Sequence, residues 1–288
     1  MKQLRISLLT VLLAGLSACA STTAPLLSGV SLTDDPLTGK FIWHDLITTD
    51  LDASKDFYQG LFGWQYEQRR GPKGNTYTLA KAGDHYVAGM VIGDRPQDGA
   101  DVSRWLGYLS VRNVDRAVQK NDAAGGKTVV APLEIGELVR VAAVTDPQGA
   151  VLGLAQSHIG DPDDSVAAGA GHVVWDELLA DKVAAAATLY QALAGYDVRV
   201  VERHGGQYTF LVAGGVKRAG ILQNPLDGVE PLWLSYFGVA DVQAAAAHAT
   251  ELGGTVVLAP NAAIRDGTLA LVVGPSGELL ALQQLADQ

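Results

Sequence analysis

The chain contains the same unit twice. "FIWHDLITTDLDASKDFYQGLFGW" (41–64) returns as "HVVWDELLADKVAAAATLYQALAGY" (172–196), with Trp43 matching Trp175 and Tyr58 matching Tyr190 at a shift of 132. "YTLAKAGDHYVAGMV" from Tyr77 matches "YTFLVAGGVKRAGIL" from Tyr208 at 131, and "WLGYLSVRNVDRAV" from Trp105 matches "WLSYFGVADVQAAA" from Trp233 at 128. "GGKTVVAP" and "DPQGAVLGL" pair with "GGTVVLAP" and "GPSGELLAL" at that last shift. The offset drifts by only four residues across the unit, so a few deletions separate the copies. The fold must therefore be one that uses a single module twice.

Each copy follows one plan. A first strand (42–47; 173–178) runs into a helix rich in Ala, Tyr and Leu that stops at Gly63 or Gly195, where glycine supplies a left-handed cap. Two or three short strands follow, separated by glycine turn signals. Next come a strand, an Asn113 or Asp241 helix cap, a helix closed by paired glycines, and two more strands. The order is strand–helix–strands, twice per copy. We expect a first module at 40–157, a linker at 158–170 containing the Asp-rich "HIGDPDDSVAAGAG", and a second module at 171–286.

These segments resemble the vicinal oxygen chelate superfamily, which includes lactoylglutathione lyase, extradiol dioxygenases and bleomycin-resistance proteins. "TTDLDASKDFYQGLFGW" with its second-copy partner, "VRNVDRAV" and "DPQGAVLGLAQ" carry the resemblance. It implies an α+β fold: tandem βαβββ-type modules, two per copy in two copies, forming a cupped, open barrel-like mixed sheet with flanking helices. It places the site inside the cup and implies a divalent metal held by His, Gln or Glu. Carried onto this chain, the family's ligand positions fall on Trp43, Leu106 and Gly153 in copy one and on Trp175, Leu234 and Ala281 in copy two. None of these side chains ligates a metal, so no cofactor is expected. A divalent metal remains the alternative, through a His44–Asp176 pair if the strand register shifts by one. No other catalytic motif appears, and His85, His172, His204 and His248 read as surface histidines.

The doubled Trp-x-acid pair is the remaining chemistry. Strand residues alternate faces, so if Trp43 and Trp175 line the cup, Asp45 and Glu177 do too. A carboxylate on an inward face needs a partner, and Arg69, Arg70, Arg140, Arg203, Arg218 and Arg265 are available. The pattern predicts one cup with aromatic walls and a carboxylate from each half, suited to a planar or cationic small molecule. Asp45 and Glu177 are then the candidates for a general base, and Trp105 and Trp233 extend the aromatic lining. The competing reading buries the indoles in the core.

The first residues are set apart. "MKQLR", the apolar run "ISLLTVLLAGL" and "SAC" form a secretory signal whose apolar part is too short to span a bilayer. "LSAC" resembles the bacterial lipoprotein signal, which would leave Cys19, the chain's single cysteine, as the lipidated first residue. This implies a signal at 1–18, a flexible tether at 19–39, and an exported protein anchored by lipid, by resemblance in the outer membrane facing the periplasm. Loss of Lys2 and Arg5 with the signal leaves 19 basic against 31 acidic residues, a surface that disfavours nucleic acid. The expected partners are a small organic molecule and the membrane lipid. The duplication predicts a monomer, because it already supplies both modules. The functions this reading admits are a metal-free binder, a metal-dependent lyase or isomerase of the glyoxalase type, and a structural envelope lipoprotein with a filled cup.

Overall fold

A computed structural model describes residues 31–70, 76–93, 103–164, 169–203, 206–226 and 228–286. The first copy runs β1 (Phe41–Thr48), α1 (Leu51–Phe62), β2 (Gln65–Arg70), β3 (Thr76–Ala82), β4 (His85–Ile92), β5 (Arg104–Ser110), α2 (Val114–Ala123), β6 (Lys127–Ile135), β7 (Val139–Thr145) and β8 (Val151–Ser157). The second repeats it as β9 (Val173–Ala180), α3 (Val183–Ala194), β10 (Asp197–Arg203), β11 (Gly206–Ala213), β12 (Val216–Gln223), β13 (Leu232–Val239), α4 (Val242–Glu251), β14 (Thr255–Leu258), β15 (Leu269–Val273) and β16 (Leu279–Gln284).

Local chemistry accounts for the helix ends. Asp50, Asn113 and Asp241 each accept a hydrogen bond from the amide three residues on, satisfying a donor that the first turn leaves unpaired. Gly63 and Gly195 end α1 and α3 with φ of 70° and 71°, a conformation that costs a residue bearing Cβ.

Each copy builds one open eight-stranded sheet, ordered β2-β3-β4-β1-β5-β8-β7-β6 and β10-β11-β12-β9-β13-β16-β15-β14. Strand β1 lies parallel to β4 and antiparallel to β5, and this β1–β5 pairing joins the two βαβββ halves. The same pairings recur around β9.

The helices lie between the two sheets, and both helix-side cores are shared. One joins Leu109, Val118 and Leu152 of the first copy to Leu189, Tyr190 and Trp233 of the second. The other joins Phe57, Trp64, Met90 and Trp105 to Phe237, Ala246 and Leu282. Two hydrogen-bonded relays cross between the copies. Trp105 Nε1 donates to Tyr58 Oη (2.9 Å), which donates to Glu278 (2.8 Å). Trp233 Nε1 donates to Tyr190 Oη (2.8 Å), which donates to Asp146 (3.1 Å). Each copy thus supplies the buried acid that the other copy's helix tyrosine needs.

Residues 32–39, within the segment expected to be a loose tether, are held against the linker. Leu32 bridges Pro162, and the buried Asp161 carboxylate accepts from Leu37 N and Ser110 Oγ, both at 2.6 Å.

Candidate functional site: a buried carboxylate on each sheet

On the helix-free face of the first sheet, β1 presents Trp43 and Asp45, paired across the ladder with Tyr108 and Leu106 of β5. Asp45 is 6% exposed. Its Oδ1 accepts from Tyr77 Oη (2.6 Å) and Trp43 Nε1 (2.9 Å), and its Oδ2 from Tyr108 Oη (3.0 Å). Trp43 Nε1 also lies 2.9 Å from Tyr77 Oη. Tyr77 reaches the carboxylate from β3 because the intervening β4 carries Gly89, where a Cβ would sit 1.9 Å from the Tyr77 hydroxyl and 2.1 Å from Asp45 Oδ1. Burial raises the Asp45 pKa above the ordinary carboxylate range, and the hydrogen bonds from Tyr77, Trp43 and Tyr108 offset part of the rise. Burial and the adjacent Asp45 charge hold Tyr77 and Tyr108 well above the ordinary phenol value, so both remain donors. Trp43 and Tyr77 are half-buried, which leaves an edge of the cluster at the surface.

The second sheet repeats the arrangement and adds a cation. Glu177 accepts from Tyr208 Oη (2.5 Å) and Tyr236 Oη (2.6 Å), and Trp175 Nε1 donates to Tyr208 Oη (3.1 Å). Arg265 NH2 then lies 2.5 Å from Glu177 Oε2. Its guanidinium carbon sits 5.0 Å from the Tyr236 ring centroid and 5.9 Å from that of Tyr208, the geometry of a cation over π faces. Gly220 stands where Gly89 does in the first copy: a Cβ there would sit 1.8 Å from the Tyr208 hydroxyl.

Several sequence expectations need correction. Asp45 and Glu177 do not share one cup. Each copy forms its own sheet, so each carboxylate has its own aromatic set. Trp105 and Trp233 do not extend those linings. Trp105 pairs with Leu46, on the helix side of the sheet, and both indoles lie in the shared cores. Strand alternation is the reason: the neighbours Leu106 and Leu234 take the helix-free face.

His44 and Asp176 do meet, at 2.8 Å, with Ser235 also donating to Asp176. They lie buried between the copies, on the faces away from Trp43 and Trp175. His85 and His172 approach each other with ring centroids 6.3 Å apart, and burial and His85 lower the His172 pKa. His248 is exposed beside Glu251; His204, Cys19 and the signal segment lie outside the described residues. Among the described residues no group of three or more His, Cys, Asp or Glu is placed to hold a metal. At the positions that the sequence resemblance assigns to ligands, Leu106 packs with Tyr108 and Ile47, Leu234 packs with Tyr236, and a Cβ on Gly153 would strike the Tyr108 ring at 2.4 Å. An indole, an isobutyl group and a glycine do not fit a divalent metal.

The four tyrosines were not singled out from the sequence. Their signal was the repeat itself, since Tyr77 aligns with Tyr208 and Tyr108 with Tyr236. Arg265 was one of six candidate arginines.

This architecture, with the site on the sheet face of paired βαβββ units, defines a class. The chain belongs to the Glyoxalase/Bleomycin resistance protein/Dioxygenase superfamily, whose family profile matches residues 40–154. It is 34% identical over 250 residues to the Mycobacterium tuberculosis protein named "Putative glyoxylase CFP32", covering 85% of this chain and 95% of that one. It is 28% identical over 257 residues to the anthracycline biosynthesis protein DnrV of Streptomyces peucetius, covering 85% and 93%. Among solved structures it resembles the Mn(II)-bound glyoxalase of Novosphingobium aromaticivorans, with a TM-score of 0.56 and 16% identity over 88% of this chain and 83% of that one. It also resembles the 2,3-dioxygenase LapB of Pseudomonas sp. KL28, with a TM-score of 0.57 and 15% identity over 87% and 94%. At these identities the solved structures establish the fold alone.

Proposed function

We propose that this protein binds a small organic molecule on the helix-free face of its sheets, without a metal, and that a lipid on Cys19 holds it in the cell envelope. The observation that carries the reading is Asp45: a buried carboxylate held by two phenols and an indole, beside a half-buried aromatic wall. Such a group is costly to bury, and a polar ligand that engages it is the use that the geometry supports best. Trp, Leu, Gly and Ala at the six positions that the sequence resemblance assigns to metal ligands support the metal-free part.

A second reading, a metal-dependent lyase or isomerase of the glyoxalase type, draws on the likeness of this chain to a Mn(II)-bound glyoxalase and to a protein named as a glyoxylase. Native mass spectrometry of residues 20–288 separates the readings. An organic mass that disappears in Trp43→Ala is expected. One divalent metal per chain would establish the second reading. A bare chain that also fails a screen of organic probes would leave the protein a structural lipoprotein. Labelling with palmitate in a bacterial host, lost in Cys19→Ser, is the expected outcome for the anchor, and an unlabelled membrane-free chain would remove it.

A further inference from the structure

The two copies pose one question twice and answer it differently. Both bury a carboxylate against two tyrosine hydroxyls, with a tryptophan indole N–H in the same network, and a glycine clears the tyrosine's path. In the second copy a guanidinium completes the cluster: Arg265 lies on Glu177 and over the rings of Tyr208 and Tyr236. In the first copy, among the described residues, no cation lies on Asp45. Counted from the shared "AP" at 131–132 and 259–260, the residue corresponding to Arg265 is Glu137. It sits exposed in the turn that joins β6 and β7. Two basic residues lie near by register: Arg104 on β5, two positions from the Leu106 that pairs with Asp45, and Arg69 on β2, opposite Tyr77, which is paired with Glu67, itself an acceptor from Tyr86.

The delivery of Arg265 is itself unusual. Arg265 and Asp266 have φ of 48° and 55°, the only non-glycine residues in the left-handed region among those described. A strained turn persists where the surrounding contacts hold it, and here they hold a cation over an acid and two rings.

We infer that the second cluster is occupied by its own Arg265 as an internal ligand, and that the first is its open counterpart, selective for an organic cation of the aryl- or alkyl-guanidinium or ammonium class. This rests on the binding reading above and names the ligand class at Asp45. Arg265 displays the recognition an external cation meets in the first copy: a charge-assisted bond to the carboxylate and ring faces alongside. Among the described residues Asp45 Oδ2 accepts one hydrogen bond, from Tyr108, and a carboxylate oxygen has capacity for a second.

The test uses the full-length protein, ¹⁵N-labelled at tryptophan, titrated with phenylguanidinium and with the neutral isostere phenylurea. The indole N–H resonances of Trp43 and Trp175 report the two clusters separately. Phenylguanidinium is expected to shift Trp43 and leave Trp175 unmoved. In Asp45→Asn the apparent affinity at Trp43 falls by about ten- to a hundred-fold, the loss of a charge-assisted bond. In Arg265→Ala, Trp175 begins to respond, so that two sites titrate instead of one.

If phenylurea shifts Trp43 as strongly and Asp45→Asn is indifferent, the cation class is wrong while organic binding stands. If neither probe moves Trp43 in a folded protein, both this inference and its premise at Asp45 fall. If Trp175 stays silent in a folded Arg265→Ala protein, Arg265 is not an internal ligand. A Trp43 response that appears only in Arg69→Ala would mean that the first cluster too is occupied from within.

Discussion

Asp45 carries a cost that the protein tolerates. Its raised pKa means that the folded state prefers the protonated form more than the unfolded chain does. The resulting stabilisation is present at low pH and is lost as pH rises through the raised value. Asparagine keeps the shape and has no charge to bury. Asp45→Asn is therefore expected to gain stability relative to the wild type between about pH 4 and pH 7.5, by up to about 1.4 kcal/mol for each unit of raised pKa, seen as a higher melting point at the upper pH. Paired calorimetric scans at the two pH values measure this, and a difference independent of pH would show that Asp45 is not buried as a charge. Tyr190 gives the opposite case, since its hydroxyl both accepts from Trp233 and donates to Asp146. Tyr190→Phe strands two buried polar groups and is expected to cost about 1–3 kcal/mol, read as a lower midpoint in urea with an unchanged slope. A loss near zero would mean that water repairs the relay.

Among the elements, β4 and β12 owe their place beside the clusters to a missing side chain. Gly89→Ala would put a methyl carbon 1.9 Å from the Tyr77 hydroxyl. The ring must then swing away from Asp45, at an expected cost of about 1–3 kcal/mol from overpacking. The Trp43 indole resonance reports the rearrangement directly, and an unmoved resonance would show that the strand yields instead of the ring. These glycines were visible in the sequence as "AGMV" and "AGIL", but only as repeated letters. Helix caps, strand order and module length were legible because they depend on neighbouring residues. The face of Asp45 and Glu177 was legible too, from alternation with Trp43 and Trp175. Pairing over long distances was not. The repeat specifies that a first strand meets a fifth, and both copies satisfy that rule equally well within themselves or with each other. For this reason the carboxylates were expected in one cup and stand on two sheets. Arg265 was hidden for a related reason: it breaks the repeat, and its neighbour in the alignment, Glu137, has the opposite charge.

At the scale of the molecule, the duplication completes the helical layers, while each copy builds its own sheet. In copy one, Phe57, Tyr58, Trp64 and Trp105 are each 5% exposed or less. Their cover includes Phe237, Val242, Ala246 and Leu282 from copy two. The other shared core is built in the same way around α2 and α3. Residues 40–157 alone would therefore expose a contiguous apolar face of a kind that soluble monomers avoid. Tyr58 would also lose its acceptor, Glu278. The separated module is expected to precipitate or to self-associate through that face, whereas its co-expression with 171–286 should yield a one-to-one complex of the intact protein's size. Size exclusion with light scattering distinguishes these outcomes. A monomeric 40–157 fragment that melts cooperatively near the intact protein would mean that each sheet stabilises its own helices, and that the two clusters evolved on independent domains. A complex that forms only from both halves would mean that the copies can diverge at their carboxylates, as Arg265 and Glu137 have, only while their helix faces stay matched.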